Sequence, residues 1–359
     1  LDAEGGTLFP KAAAFAANTL GPAGKGRGIV TGRHASRVSG APEVFGELPM
    51  VCLAEEIETP GAGQVRALVT IASNPVLSAP NGPRLAAALD RLDFMVSVDA
   101  YVNETTRHAH LILPAASHFA DIHFDVAFPQ LAYRNVARAS RPVMARPAGE
   151  PAEWEILLQL AAIASGRGAH VDLAAYDDEL TASEVRKLAG EHTEAVLRAV
   201  SRWRGPERLV DLGLRAGPYG DAFGLKPGGL TLQRLLDTPE GIDLGALEPR
   251  LPEALRTPSG RIALAPPGLI ADLAHLEAAL SEPAPPIVIV GRREARTNNS
   301  WMHNLPVLAK GRERCTLQVH PDDAARLGLA EGGRARIEYA GRSVDAPVEI
   351  SAALMPGVV

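Results

Sequence analysis

The chain has 359 residues, 46% of them hydrophobic and 22% charged, with a formal net charge of -6. That balance describes a globular protein of two or three domains with a sizeable core, and it excludes a broad nucleic-acid or anionic-membrane surface. No apolar run approaches the ~20 residues of a membrane helix. The two cysteines, Cys52 and Cys315, are too few and too far apart for a disulfide scaffold, a zinc ribbon or a self-contained iron–sulfur cluster.

In chain order, residues 1–66 form a Gly- and Pro-rich lead-in with one predicted helix, FPKAAAFAANTLG (9–21), and a predicted loop, GPAGKGRGIVTGRHASR (21–37), whose basic residues read as a solvated surface. Cys52 and Cys315 both lie among apolar residues and read as buried thiols. Residues 67–149 form the first regular region. ALVTIA (67–72), FMVSV (94–98) and HLILP (110–114) are short apolar runs rich in branched residues, so they predict buried strands, and RLAAALDRL (84–92) predicts a helix between the first two. Strand, helix, strand with buried runs implies an α/β class and a parallel α/β/α layer.

Residues 150–281 read as a helical connecting region. EPAEWEILLQLAAIAS is one helix, a second begins at a capping box made by Thr181 and Glu184, and GLIADLAHLEAAL closes the segment. EPAPP (282–286) reads as a linker. Residues 282–359 have a β-rich texture that predicts a barrel: IVIV, CTLQV, RARIEY and SVDAPVEI as strands, AGR (340–342) as a hairpin turn, and HPDDAARLG as a short helix with Pro321 at its start and Gly328 at its stop.

Three clusters carry chemistry. The first strand ends at Ser73-Asn74-Pro75 and the second at Asp99, and ligands of parallel sheets bind beyond the carboxyl ends of strands. Pro75 holds Asn74 extended, so its amide can face a partner, and Asp99 can accept from a ribose or a guanine edge. The plain alternative is that Asn74 caps the following turn and Asp99 caps a helix. No G-x-G-x-x-G accompanies them, which disfavours an ordinary NAD site. The second cluster holds His108, His110, His118 and His123 with Asp121 and Asp125. Its spacing matches no metal pattern, so a metal centre is the minority reading. The third is GRREARTNNSWMHNLP (291–306). Arg292, Arg293 and Arg296 can meet phosphate bidentately, and Asn298, Asn299, Ser300 and His303 supply further donors. Trp301 can stack on a heterocycle or anchor the loop in the core. Together they suggest a pyrophosphate or pterin cradle. Neither a nucleophile elbow nor a P-loop occurs.

Four stretches, in this order, resemble the molybdopterin-dependent oxidoreductases related to formate dehydrogenases, nitrate reductases and dimethyl sulfoxide reductase. They are ALVTIASNPVLSAPNGPRLAAAL, LDFMVSVDAYVNETTRHAHLILPAAS, GEPAEWEILLQLA, and VGRREARTNNSWMHNLPVL followed by VHPDDAARLGLAEGGRARI. The resemblance implies a C-terminal portion of such an enzyme, whose last domain is an incomplete double-psi β-barrel. It implies two molybdopterin guanine dinucleotides chelating molybdenum or tungsten. One guanosine pocket would fall at Ser73, Asn74, Pro75 and Asp99, and the Thr-Glu-Thr-Ala turn at Asn103, Glu104, Thr105 and Thr106. Pterin and phosphate would fall at Arg292 and Asn298–His303. Asn103, Thr106 and His110 depart from the family pattern. A 4Fe-4S cluster and the metal-ligating residue are expected upstream of residue 1, so the piece alone is not expected to catalyse. The complete protein would take a small-molecule substrate and an electron-transfer partner, with no nucleic acid and no membrane insertion by this chain. The cytoplasm is slightly favoured as its location. The alternative is a non-catalytic relative serving as a scaffold in an electron-transfer complex.

Overall fold

The computed structural model describes residues 2–14, 31–44, 46–251, 253–255, 257 and 259–359. They divide into two compact units, Leu1–Ala263 and Leu264–Val359. Of the helix expected over 9–21, residues 9–14 are not helical and the remainder lies outside the described residues. Of the loop expected over 21–37, residues 21–30 lie outside the described residues, and the part from 31 gives way to a strand: Thr31–Ala35 (β1) pairs antiparallel with Pro42–Val44 (β2). Charge pairing holds this polar, glycine-containing strand. Glu43 is fully buried, and its carboxylate accepts from the Arg33 backbone and guanidinium and from the Gly46 amide.

After Leu53–Glu58 (α1) comes a three-stranded parallel sheet in the order Ala67–Ile71 (β3), Phe94–Val98 (β4), Leu111–Ile112 (β5). The register runs from Ala67 opposite Phe94 to Ile71 opposite Val98, so the two strand tips lie side by side. β5 is shorter than its apolar run, because Pro114 has no N–H for the ladder. Between β3 and β4 lie Pro75–Ser78 (α2) and Gly82–Leu89 (α3). Leu85, Ala88 and Leu89 fall on one helical face and are buried with Ile57 of α1 and Met95 of β4. Each large side chain there contributes about 1.5–3 kcal/mol by burial. At Gly82 a Cβ would stand 2.1 Å from the Val76 carbonyl oxygen, so only glycine lets α2 and α3 meet this closely.

Ala72, just past β3, has φ 44° while its amide donates to Val98 O at 2.9 Å. A left-handed alanine costs about 1 kcal/mol that glycine avoids. Ala72→Gly is therefore expected to stabilise the unit by about 0.5–1 kcal/mol in urea denaturation; no gain, or a loss, would contradict this backbone assignment.

The rest of this unit is mostly helical. His123–Phe124 (β6), Arg134–Ala137 (β7) and Ala139–Ser140 (β8) are followed by Glu153–Ala164 (α4), Leu173–Ala189 (α5), Thr193–Val200 (α6), Gly205–Ala216 (α7), Leu232–Leu236 (α8) and Ile242–Ala246 (β9). β6 pairs with β8, and β7 with β9, both antiparallel. The start expected at Thr181 is corrected: α5 begins eight residues earlier, capped by Asp172, whose carboxylate accepts from the Ala174 and Ala175 amides. Thr181 is buried inside the helix. The core here joins Ala137, Ala139, Leu214, Leu230, Leu232 and Leu235.

The second unit holds Pro267–Ser281 (α9), Pro306–Ala309 (α10), Leu317–Val319 (β10), Pro321–Leu327 (α11), Arg334–Tyr339 (β11) and Arg342–Ile350 (β12). β12 is central, parallel to β10 and antiparallel to β11. Ala340 and Gly341 both have positive φ and make the two-residue turn expected at 340–342. Gly328 ends α11 at φ 66° as expected. The strand expected over 287–290 is reduced to a single parallel bridge, Val288 with Val358, because residues 357–359 supply only a brief partner. The described residues form this mixed three-stranded sheet and no closed barrel. Among them, no helix is long and apolar enough to cross a membrane.

Candidate functional site

Two polar clusters stand out, one in each unit. In the first unit, the parallel register of β3 and β4 sets Asn74 and Asp99 beside the turn at 103–106, and one hydrogen-bond network joins them. Asn74 Nδ2 donates to Glu104 Oε2 at 2.8 Å, and Thr105 Oγ1 donates to Asn74 Oδ1 at 2.7 Å. Thr105 Oγ1 also accepts from the Val76 amide at 3.0 Å. Asn103 Oδ1 accepts from the Thr105 and Thr106 amides, and its Nδ2 donates to Asp99 Oδ2 at 3.3 Å. Asp99 Oδ1 accepts from the Tyr101 amide at 2.9 Å. Thr105 and Pro75 are buried, Asn74, Asp99 and Glu104 half-buried, and Ser73 exposed. Asn74 sits at the cap of α2, yet its side chain makes no cap bond there. It reaches across to the next strand's turn. Asp99 closes a local turn and keeps acceptor capacity, since a carboxylate has about four lone-pair sites.

The hydrogen bond from Asn74 holds the Glu104 carboxyl below the ordinary glutamate range. A depressed folded value means that this contact contributes stability above the unfolded glutamate's range and loses it as pH falls through the folded value. The side-chain amide resonances of Asn74 should therefore titrate with an acidic midpoint below that of a free glutamate, and this midpoint should vanish in Glu104→Gln. An Asn74 amide that ignores pH would contradict the contact.

The histidines do not converge. His108 Nδ1 lies 2.6 Å from Asp90 Oδ1, His110 Nδ1 accepts from the Met95 amide, and His118 packs on Phe119. Among the described residues no group of three His, Cys, Asp or Glu side chains could hold a metal ion.

The second cluster surrounds a cavity of about 500 Å³ within the second unit. Arg292, Arg293, Arg296, Arg312 and Arg314 line it, with Asn299 and His303. Glu294 and Glu313 are the acids on the same wall. Hydrogen bonds from the Cys315 and Arg314 amides keep the Glu313 carboxyl below its usual range. Arg292 is held in place: its Nη2 donates to Arg314 O at 2.6 Å and to Thr316 Oγ1 at 3.1 Å. Asn298 and Asn299 both adopt left-handed φ, 41° and 65°, a conformation asparagine tolerates better than most residues. Asn298, Ser300 and Trp301 stand outside the lining, and Trp301 is 81% exposed, so it does not anchor the loop in the core. Cys315 lines the cavity and is exposed, which corrects the buried thiol expected there; Cys52 is buried. β10 begins only at Leu317, so Cys315 lies on the approach to the strand and not in it. Sequence reading passed over Arg312, Glu313 and Arg314. Their one signal was GRERC, two arginines spaced by one residue between α10 and β10.

Residues 287–359, which hold this cavity, match the family described as "Molydopterin dinucleotide binding domain". The NADPH-Fe(3+) oxidoreductase subunit alpha of Geobacter sulfurreducens is 25% identical over 83% of this chain and 27% of its own length. The assimilatory nitrate reductase catalytic subunit of Bacillus subtilis is 32% identical over 40% of this chain and 20% of its own. These matches make the chain similar to molybdopterin oxidoreductases. Among solved structures, acetylene hydratase from Pelobacter acetylenicus superposes with a TM-score of 0.59 at 16% identity, covering 88% of this chain and 39% of that one, which shows a shared fold. The chain spans about a quarter of the length of the Geobacter relative it matches. The matched domain supports a molybdopterin cofactor, and the donors of the cavity suit one: five arginines around a nucleotide-sized cavity are side chains that can meet a diphosphate.

Proposed function

We propose that the chain is the cofactor-binding portion of a longer two-electron oxidoreductase that uses two molybdopterin guanine dinucleotides on molybdenum or tungsten. The arginine-lined cavity inside the matched domain is the observation that carries this reading. Arg292, pre-oriented by Thr316 and the Arg314 carbonyl, would clamp the diphosphate with Arg312 and Arg314. Asn299 and His303 would donate to the same group, and exposed Trp301 would offer a stacking face. In the first unit, Asp99 would accept from a guanine edge, with Asn74, Glu104 and Thr105 holding the strand tips in register. The bound group would supply the redox chemistry; the protein's part is to orient it and set its electrostatic surroundings. In the complete polypeptide a 4Fe-4S cluster would relay electrons to a partner, as in formate dehydrogenase-type enzymes. Hydrogen exchange with GDP as probe tests the cavity assignment. Protection at 292–315 is expected, and protection confined to other segments would overturn it.

A further inference from the structure

A side recess of about 70 Å³ opens beside the main cavity and shares Arg292, Glu294, Arg312, Glu313 and Arg314 with it. Its remaining lining residue is Glu349, from β12. Glu349 is tied from three directions. Thr316 Oγ1 donates to Oε2 at 2.6 Å, Arg292 Nη1 lies 3.7 Å from Oε2, and Arg312 Nη2 lies 3.7 Å from Oε1. Its side chain is largely covered, whereas that of Arg312 is 81% exposed. The Thr316 hydroxyl keeps this carboxyl below its usual range, so it is charged at neutral pH. A fixed negative charge thus sits among the cations that would meet a ligand. With it, five arginines face three glutamates, leaving two positive charges in excess among these groups.

We infer that Glu349 is a specificity-determining residue of the diphosphate site, disfavouring terminal diphosphates relative to diphosphate diesters. This rests on the proposed diphosphate cavity. The physical reason is that a fixed charge acts on a ligand in proportion to the ligand's charge. A diphosphate diester, the linkage inside any dinucleotide, carries about two negative charges. A free nucleoside diphosphate carries about three above its last ionisation near pH 6. Glu349 therefore penalises the free nucleotide more, while the arginines still hold both.

The test is calorimetric titration of the 359-residue chain at pH 8 and low salt with GDP and with GDP-mannose, which share the guanosine and the diphosphate and differ in the terminal charge. At about 10 Å through water one charge changes affinity roughly twofold per unit of ligand charge. Glu349→Gln, which keeps an acceptor for Thr316, should tighten GDP by about eightfold and GDP-mannose by about fourfold, and high salt should erase the gain. Equal shifts for the two probes, no shift, or weaker binding of both would overturn the inference. Wild-type protein that binds neither probe would instead overturn the diphosphate reading beneath it. Should Glu349→Gln fail to fold, Glu349→Met, a neutral side chain of similar length, replaces it: the same larger gain for GDP than for GDP-mannose is expected, and equal or absent shifts would overturn the inference.

Discussion

Arg292→Ala is expected to weaken GDP binding by about thirtyfold with little change in stability. Arg292 lines both the cavity and the recess, and both hydrogens of its Nη2 already hold Arg314 O and Thr316 Oγ1. A guanidinium has five N–H donors, so those on Nε and Nη1 remain for a ligand. A charge-assisted bond from a pre-oriented donor is worth about 1.5–3 kcal/mol, and 2 kcal/mol corresponds to about thirtyfold. Arg292→Lys should fall in between, because an ammonium keeps the charge but cannot hold both protein acceptors and still present a fork. Titration calorimetry reads all three proteins. An alanine variant that binds as wild type would mean that the diphosphate lies elsewhere.

Asp211→Ala should destabilise the first unit by about 3 kcal/mol, a large share of the 5–15 kcal/mol typical of a folded domain. Asp211 on α7 is fully buried. Its Oδ1 accepts from the Leu232 amide at 2.8 Å and its Oδ2 from Arg215 Nε at 2.8 Å. Alanine leaves a buried amide without a partner, which alone costs about 1–3 kcal/mol, and removes one of two carboxylates from Arg215. Asp221 still holds Arg215, which limits the loss. Asp211→Asn keeps an acceptor for Leu232 and should cost clearly less. Urea denaturation distinguishes them; equal and small losses would mean that this pair does not hold α7 to α8.

The order of the parallel sheet was legible because its strands are short branched runs bounded by Asn, Pro and Gly, but the burial expected of all three holds only for β4: in β3 Thr70 alone is buried, and Val69, Ile71 and Leu111 of β5 are about half exposed. The turn at Ala340-Gly341 and the stop at Gly328 were legible because backbone conformation there selects the residue. β1 was not, since TGRHA has no apolar period and is held by Glu43, twelve residues from its start. The start of α5 was misread because Thr181 and Glu184 mimic a cap, while the residues before them, Ala174, Ala175 and Glu179 among them, are strong helix formers that let the helix run upstream. In the candidate site, Asn74 and Asp99 were visible as strand-end residues, but their link through Asn103, Glu104 and Thr105 is a tertiary fact. Arg312, Arg314 and Glu349 were invisible for a similar reason: they meet Arg292 only once β10 and β12 pair.

The most direct test is to purify the complete natural protein carrying this sequence and measure metal and pterin together. Inductively coupled plasma mass spectrometry would count molybdenum and tungsten, and acid hydrolysis would release GMP for chromatography. About one metal and two GMP per polypeptide are expected. A folded complete protein with neither metal and no releasable GMP would contradict it.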